Sequence, residues 1–308
     1  MTDNLTDTAG IAEVQNGNHA ANDAFDHAPN FVVIGPGKSG TSWLFEVLGA
    51  HPSVCMSSAK ETMFFETEFH RGLSWYQKFF RQCDCPGRDH AIGEISNTYI
   101  FSADVAQNIR NTFPQMKIIA TLRSPIERAH SHYLFERRNG TLGDSFEDAI
   151  KQRPDLLSRG KYDQHLQPYF ERFSADQIRV LIYDDLKADV NSYAQSLWDF
   201  IGVDSFQDAD VLERRVLGAS EARSKLAARL FVGAGRIVRR AGFPELVTKI
   251  KGSAISKMLF RPLDRSKHTM HPETKSRLKE YFREDVAKLS DRLGRDLTSL
   301  WIEEGAPA

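Results

Sequence analysis

The stretch Phe31-Val32-Val33-Ile34-Gly35-Pro36-Gly37-Lys38-Ser39-Gly40-Thr41-Ser42-Trp43-Leu44 constrains the fold more than any other in the chain. A short β-branched apolar run reads as a buried strand, a Gly/Lys/Ser/Thr turn follows, and Leu44, Val47 and Leu48 then fall at helical spacing. The turn is not a Walker A loop. That motif needs a first glycine five residues before Gly37, and Val32 stands there, inside the strand. The arrangement still makes an anion site, because the first amides of a helix lack intrahelical partners and the helix dipole favours negative charge. Lys38 adds a cation, and Ser39, Thr41 and Ser42 add hydroxyls. An ordinary strand-to-helix turn with a capping hydroxyl is the competing reading.

Further strand-like runs lie around 91–95, at Lys117–Leu122 and at Ile178–Tyr183, with helical patterns between them. Buried strands alternating with amphipathic helices predict a P-loop-NTPase-like α/β fold, a central and mostly parallel sheet flanked by helices. No repeat or long linker interrupts 31–302, which reads as one domain, and the chain closes on a helix with Leu278, Phe282, Val286, Leu289 and Leu293 as its apolar stripe. Residues 1–30 hold five acidic residues and no Lys or Arg, and read as a disordered tail; 303–308 form a C-terminal tail.

A second anion site is predicted where the strand 117–122 ends. Arg123 projects from the carboxyl end of that strand, where open α/β sheets bind ligands, and Ser131 lies two turns into the following helix. Ser124, Pro125 and Glu127 form the pattern of a capping box with proline at the first helical position. Together Arg123 and Ser131 can take a phosphate, the arginine by a bidentate fork. Alone, a surface ion pair for Arg123 explains the sequence equally well.

The formal net charge of −1 makes no global case for nucleic acid, so electrostatic steering is local. Residues 219–267 carry twelve Lys/Arg against three acidic residues, interleaved with apolar side chains. They suit an anionic or membrane surface, or a solvated helical excursion. The N-terminus lacks the positive start and apolar centre of a signal peptide, and no run of about 18 apolar residues occurs, so a cytoplasmic protein is expected. Cys55, Cys83 and Cys85 read as free thiols of a reducing compartment. His130 and His132 face different sides of a helix, and no metal site is expected.

The two anion sites together resemble those of the sulfotransferases that use 3′-phosphoadenosine 5′-phosphosulfate (PAPS). Lys38-Ser39-Gly40-Thr41-Ser42-Trp43 is similar to their 5′-phosphosulfate loop, and Arg123 with Ser131 to their 3′-phosphate site. Glu61-Thr62-Met63-Phe64-Phe65, Gly72-Leu73-Ser74-Trp75-Tyr76, Gly93-Glu94-Ile95-Ser96-Asn97-Thr98-Tyr99 and Ser266-Lys267 narrow the resemblance to the glycan branch, the heparan sulfate N- and 3-O-sulfotransferases and their bacterial relatives. The resemblance implies PAPS as donor, a carbohydrate or lipid-linked hydroxyl as acceptor, Glu61 as general base and Lys38 beside the transferring group. It also implies cofactor binding by Lys38, Ser39, Gly40, Thr41, Ser42, Arg123, Ser131 and Lys267, and substrate binding by Glu94 and Tyr162. Two departures stand out. Ile95 occupies a position where many relatives carry lysine, and the stretch Ser266–Met270 departs from the family's glycine-basic loop.

In-line sulfuryl transfer resembles phosphoryl transfer, with charge developing on the leaving phosphate oxygen, and a lysine with helix amides can stabilise that charge without a metal. An acceptor hydroxyl needs its proton taken, which a positioned carboxylate can do. Three readings compete. A P-loop kinase needs a magnesium-binding aspartate after a strand, for which Asp184-Asp185 is a weak candidate. A lipid- or nucleic-acid-binding adaptor would rest on 219–267. A small-molecule alcohol or phenol sulfotransferase would use a histidine base, for which His90 is the candidate.

Overall fold

The computed structural model describes residues 27–83, 91–139, 141–143, 145–213, 220–222, 230, 233–235, 237–238, 260–262 and 269–303. Its core is a five-stranded, wholly parallel sheet of β1 (Phe31–Gly35), β2 (Val54–Met56), β3 (Ala91–Ile95), β4 (Lys117–Leu122) and β5 (Ile178–Ile182), in the order β2-β3-β1-β4-β5. Strands β1 and β3 are buried at every position, as the continuous apolar runs require of a sheet covered on both faces. The register sets Val33 beside Ile95 and Gly35 beside Ala120, so the carboxyl ends of β3, β1 and β4 lie next to one another. The strand order reverses direction about β1, which makes this edge the topological switch point where such sheets take ligands.

Helices pack on both faces. One face is covered by α1 (Thr41–Ala50), with Trp43, Leu44, Val47 and Leu48 buried, and by α9 (Val190–Ile201), with Leu197 and Trp198 buried. The other carries α3 (Ala103–Thr112), α4 (Pro125–Arg138), α7 (Tyr162–Phe170) and the long α11 (Pro272–Leu293). Shorter helices are α2 (Leu73–Gln77), α5 (Phe146–Gln152), α6 (Asp155–Ser158), α8 (Tyr183–Ala188), α10 (Ala209–Leu212) and α12 (Leu297–Trp301). The apolar stripe of α11 is buried at Leu278, Phe282, Val286 and Leu289, and Gly294 ends the helix in the left-handed conformation.

Asn30, placed in the N-terminal tail by its composition, belongs to the sheet: its backbone bonds Ile92 and Lys117, and its Oδ1 accepts from the Ile92 amide at 3.0 Å. The rest of the tail up to residue 26, and 304–308, lie outside the described residues. The ends of the basic excursion pair as an antiparallel ladder of β6 (Ser220–Ala222) and β7 (Phe260–Pro262), with β6 against α4. Most of the residues between them lie outside the described part, but Leu230 and Ile237 are 67% and 70% exposed.

The cysteines correct the sequence reading. Cys55 on β2 and Cys83 form a disulfide, with Cα atoms 5.6 Å apart, in place of free thiols; Cys85 lies outside the described residues. Among the described residues, no helix is long and apolar enough to cross a membrane.

Candidate active site

The loop from Gly35 to Gly40 leaves β1 in a backbone that few residues tolerate. Gly35 has φ 106°, and a Cβ there would stand 2.3 Å from the carbonyl oxygen of Asn97, so only glycine allows β1 to pass beneath the segment after β3. Gly40, at φ 93°, starts α1, and no side chain caps the helix or places an acid in its first turn. Its leading amides are thus left to a ligand or to solvent. Thr121 Oγ1 on β4 donates to the Ser39 carbonyl at 2.7 Å and anchors the loop to the sheet. Ser39 is fully buried, next to the Tyr162 hydroxyl, which donates to the Arg123 carbonyl at 2.9 Å.

Lys38 has φ 77° and lies over the Phe135 ring, 4.1 Å from its centroid. Burial, reinforced by the positive charges of Arg138, Lys60 and Arg123, brings its pKa down to about 8, with Glu136 pulling the other way. Four cations from three separate segments therefore converge on this loop, which favours an anion between them. Thr41 is buried in the same first turn, and Ser42 Oγ accepts from Lys60 Nζ at 2.9 Å.

Arg123 leaves β4 toward the same edge and is held by Glu127, with Nε and Nη2 at 2.9 and 2.5 Å from one carboxylate oxygen, while its guanidinium stacks on Tyr183 at 5.2 Å. The expected capping box is not formed: Ser124 is the N-cap of α4 without a side-chain bond, because the Glu127 carboxylate goes to Arg123. Glu127 and Ser131, four residues apart, share one face of α4, and Arg123 precedes its N-cap Ser124 and reaches that face through Glu127. Glu127 thus stands between the two residues expected to hold a phosphate.

Glu61 sits in a strained turn. Glu61 and Met63 have φ of 64° and 60°, and with Lys38 they are the non-glycine residues of positive φ among those described. Such strain persists only where surrounding contacts enforce it, and it concentrates at functional sites. The enforcing contacts are the Glu61 amide donating to the Ile95 carbonyl at 2.8 Å and the Thr62 hydroxyl donating to Glu94 at 2.5 Å. Phe64 and Phe65 are fully buried beneath, with Phe64 stacked on Tyr76 at 4.3 Å. Asn97 Nδ2 donates to Glu61 Oε1 at 2.6 Å, and the Asn97 side chain lies against Gly37, so one side chain connects the carboxylate to the loop bearing Lys38.

Glu94 and Tyr162 were expected at the substrate, but neither has exposed surface. Glu94 accepts from the hydroxyls of Thr62, Tyr76, Tyr99 and Ser96, the tyrosines at 2.9 and 3.1 Å. Burial pushes its pKa up while these hydrogen bonds pull it down, and burial prevails. Its position makes it the clamp under the Glu61 turn. Tyr162 lies beneath the join between the loop and Arg123. Lys267 and His90 lie outside the described residues. Asp184 and Asp185, the candidates for a kinase metal, are engaged by Trp301 Nε1 at 3.0 Å and by both terminal nitrogens of Arg295 at 2.5 and 2.6 Å. Lys60, Phe135 and Arg138 were not singled out from the sequence; Asn97 appeared there only within the Gly93–Tyr99 stretch, and Glu127 only as part of a capping box.

A parallel sheet whose switch point gathers Lys38, Lys60, Arg123 and Arg138 suits a transferase of anionic groups. The chain belongs to the sulfotransferase domain family, whose model matches residues 28–229, and that family is PAPS-dependent. A bifunctional heparan sulfate N-deacetylase/N-sulfotransferase of Drosophila melanogaster is 30% identical over 213 residues, covering 59% of this chain and 20% of that protein. The membrane-associated sulfotransferase kil1 of Dictyostelium discoideum is 36% identical over 135 residues, 42% of this chain and 29% of that protein. The chain therefore spans less than a third of either relative's length. A sulfotransferase from Alicyclobacillus acidocaldarius superposes with a TM-score of 0.65 at 21% identity, covering 90% of this chain and 99% of that one, which shows the shared fold. The uncapped first turn of α1, the buried Ser39 hydroxyl and the four cations fit a nucleotide with a 5′-phosphosulfate.

Proposed function

We propose that this chain transfers the sulfuryl group of PAPS to a hydroxyl or amine of a carbohydrate or glycolipid acceptor, with Glu61 as general base and without a metal. The observation that carries the reading is the connection through Asn97, which brings the only strained carboxylate among the described residues to the loop of Lys38. The acceptor's proton passes to Glu61 as its oxygen or nitrogen meets sulfur, and the electron pair of the breaking bond goes to the 5′-phosphate oxygen beside Lys38 and the α1 amides. Arg123 and Ser131 hold the 3′-phosphate. The names of the heparan sulfate relatives support a sugar acceptor.

Residues 219–267 suit recruitment of an anionic or membrane-associated acceptor. The location that goes with this reading is the cytoplasm or its membrane surface, and the Cys55–Cys83 bond is the observation that argues against a reducing compartment. Mass spectrometry of PAPS incubated with N-desulfated heparin, alkyl glycosides and simple phenols, in the presence of a chelator, tests the proposal. A product heavier by one sulfuryl group on a sugar is the expected result. Sulfation of the phenol alone would favour a small-molecule enzyme with a histidine base, and loss of transfer with the chelator would exclude the metal-free reaction.

A further inference from the structure

Lys60 is absent from every motif that points to this family, yet it enters the same loop from the side opposite Arg123. It precedes Glu61 in the segment that leaves β2, and two backbone bonds fasten that segment along β3: the Ser57 amide to the Gly93 carbonyl at 2.8 Å and the Glu61 amide to the Ile95 carbonyl at 2.8 Å. From this fixed backbone the Lys60 side chain crosses to α1, where Nζ donates to Ser42 Oγ at 2.9 Å, with the Phe45 ring centred 5.9 Å away. Ser42 is the second residue of a ten-residue helix whose leading amides meet no side-chain cap. The ammonium group therefore lies at the point where that helix's dipole and amides favour an anion.

From this geometry we infer that Lys60 is a second cation on the 5′ end of the nucleotide, paired with Lys38 across the leaving oxygen. The inference rests on the donor assignment made above. When the bond from sulfur to the 5′-phosphate oxygen breaks and the acceptor's bond to sulfur forms, the electron pair stays on that oxygen while the acceptor proton goes to Glu61. A cation on each side of the oxygen stabilises it where charge accumulates. Lys38 and Lys60 repel each other, which contributes to the low pKa of Lys38, and a doubly charged anion between them would relieve that repulsion.

The test needs no acceptor. Adenosine 3′,5′-bisphosphate carries on its 5′-phosphate the charge that develops during transfer, whereas adenosine 3′-monophosphate lacks that group. Calorimetry on the full chain should show Lys60→Met binding the bisphosphate at least tenfold more weakly than the wild type, with affinity for the 3′-monophosphate within twofold, and Lys60→Arg recovering most of the loss. Unchanged bisphosphate affinity in Lys60→Met, or an equal loss for both nucleotides, overturns the inference and leaves Lys60 as a structural tie to Ser42. A wild-type protein that fails to prefer the bisphosphate over the 3′-monophosphate would instead overturn the donor assignment itself.

Discussion

Asn97 Nδ2 donates to Glu61 Oε1 at 2.6 Å, and the Asn97 backbone lies so close to Gly35 that no side chain fits there. One residue thereby fixes both the direction of the carboxylate and its separation from the loop of Lys38. The contact is to a carboxylate oxygen, and such bonds contribute roughly 1.5 to 3 kcal/mol. Asn97→Ala should therefore lower turnover by about 10- to 100-fold while adenosine 3′,5′-bisphosphate binds as before. Steady-state kinetics beside calorimetry check this, and equal losses in both would mean that the substitution has disturbed the loop instead.

The ion pair of Arg123 with Glu127 occupies the guanidinium expected to hold the 3′-phosphate. Glu127 is half-exposed, so its attraction for Arg123 is modest, while its repulsion acts directly on an incoming phosphate. Tyr183 keeps Arg123 in place without it. Glu127→Gln should tighten binding of adenosine 3′,5′-bisphosphate by up to about fivefold and leave adenosine 5′-monophosphate unaffected. Weaker binding of the bisphosphate would show that Glu127 acts mainly to orient Arg123.

The lowered pKa of Lys38, about 8, predicts a pH dependence with a definite sign. Below pH 8 the amine is charged and the anion binds it directly. Above pH 8 the Lys38 amine is neutral before the anion binds, so binding must take up a proton, and affinity falls by at most about tenfold per pH unit. Lys38→Arg, whose guanidinium stays charged, should flatten the profile. Calorimetry in buffers of different ionisation enthalpy counts the protons, and none taken up by the wild type at pH 9 would contradict the assignment.

The disulfide between Cys55 and Cys83 closes a separation of 28 residues and joins the edge strand β2 to the end of the short helical turn Lys78–Cys83. In the chain-entropy account a loop of that length contributes about 3 to 4 kcal/mol. Urea unfolding with and without reductant should show a loss of that order, and a titre of three free thiols in the native protein would show that the bond does not form in solution.

Much of the sheet was readable in the sequence because buried parallel strands are continuous apolar runs: β1, β3, β4 and β5 lie where those runs predict, within a residue at their ends. Strand β2 is only Val54-Cys55-Met56, too short for periodicity to register. The loop of Lys38 and the projection of Arg123 were legible because each follows directly on a strand. The capping box at Ser124 was not realised, since Glu127 found a stronger partner one turn away. The resemblance put Glu94 at the substrate, whereas its burial follows from hydroxyls on Thr62, Tyr76 and Tyr99, which only the tertiary fold assembles. The roles of Lys60 and Asn97 were not legible for the same reason: each acquires its meaning from a partner on a different segment.

The central claim is that Glu61 takes the acceptor's proton, and Glu61→Gln tests it most directly, since the amide keeps the volume and a hydrogen-bonding oxygen but cannot accept the proton. Transfer from PAPS to the acceptor used by the wild type should fall by roughly 10²- to 10⁴-fold, with affinity for adenosine 3′,5′-bisphosphate nearly unchanged. A Glu61→Gln protein that turns over at the wild-type rate would contradict the account and move the base elsewhere.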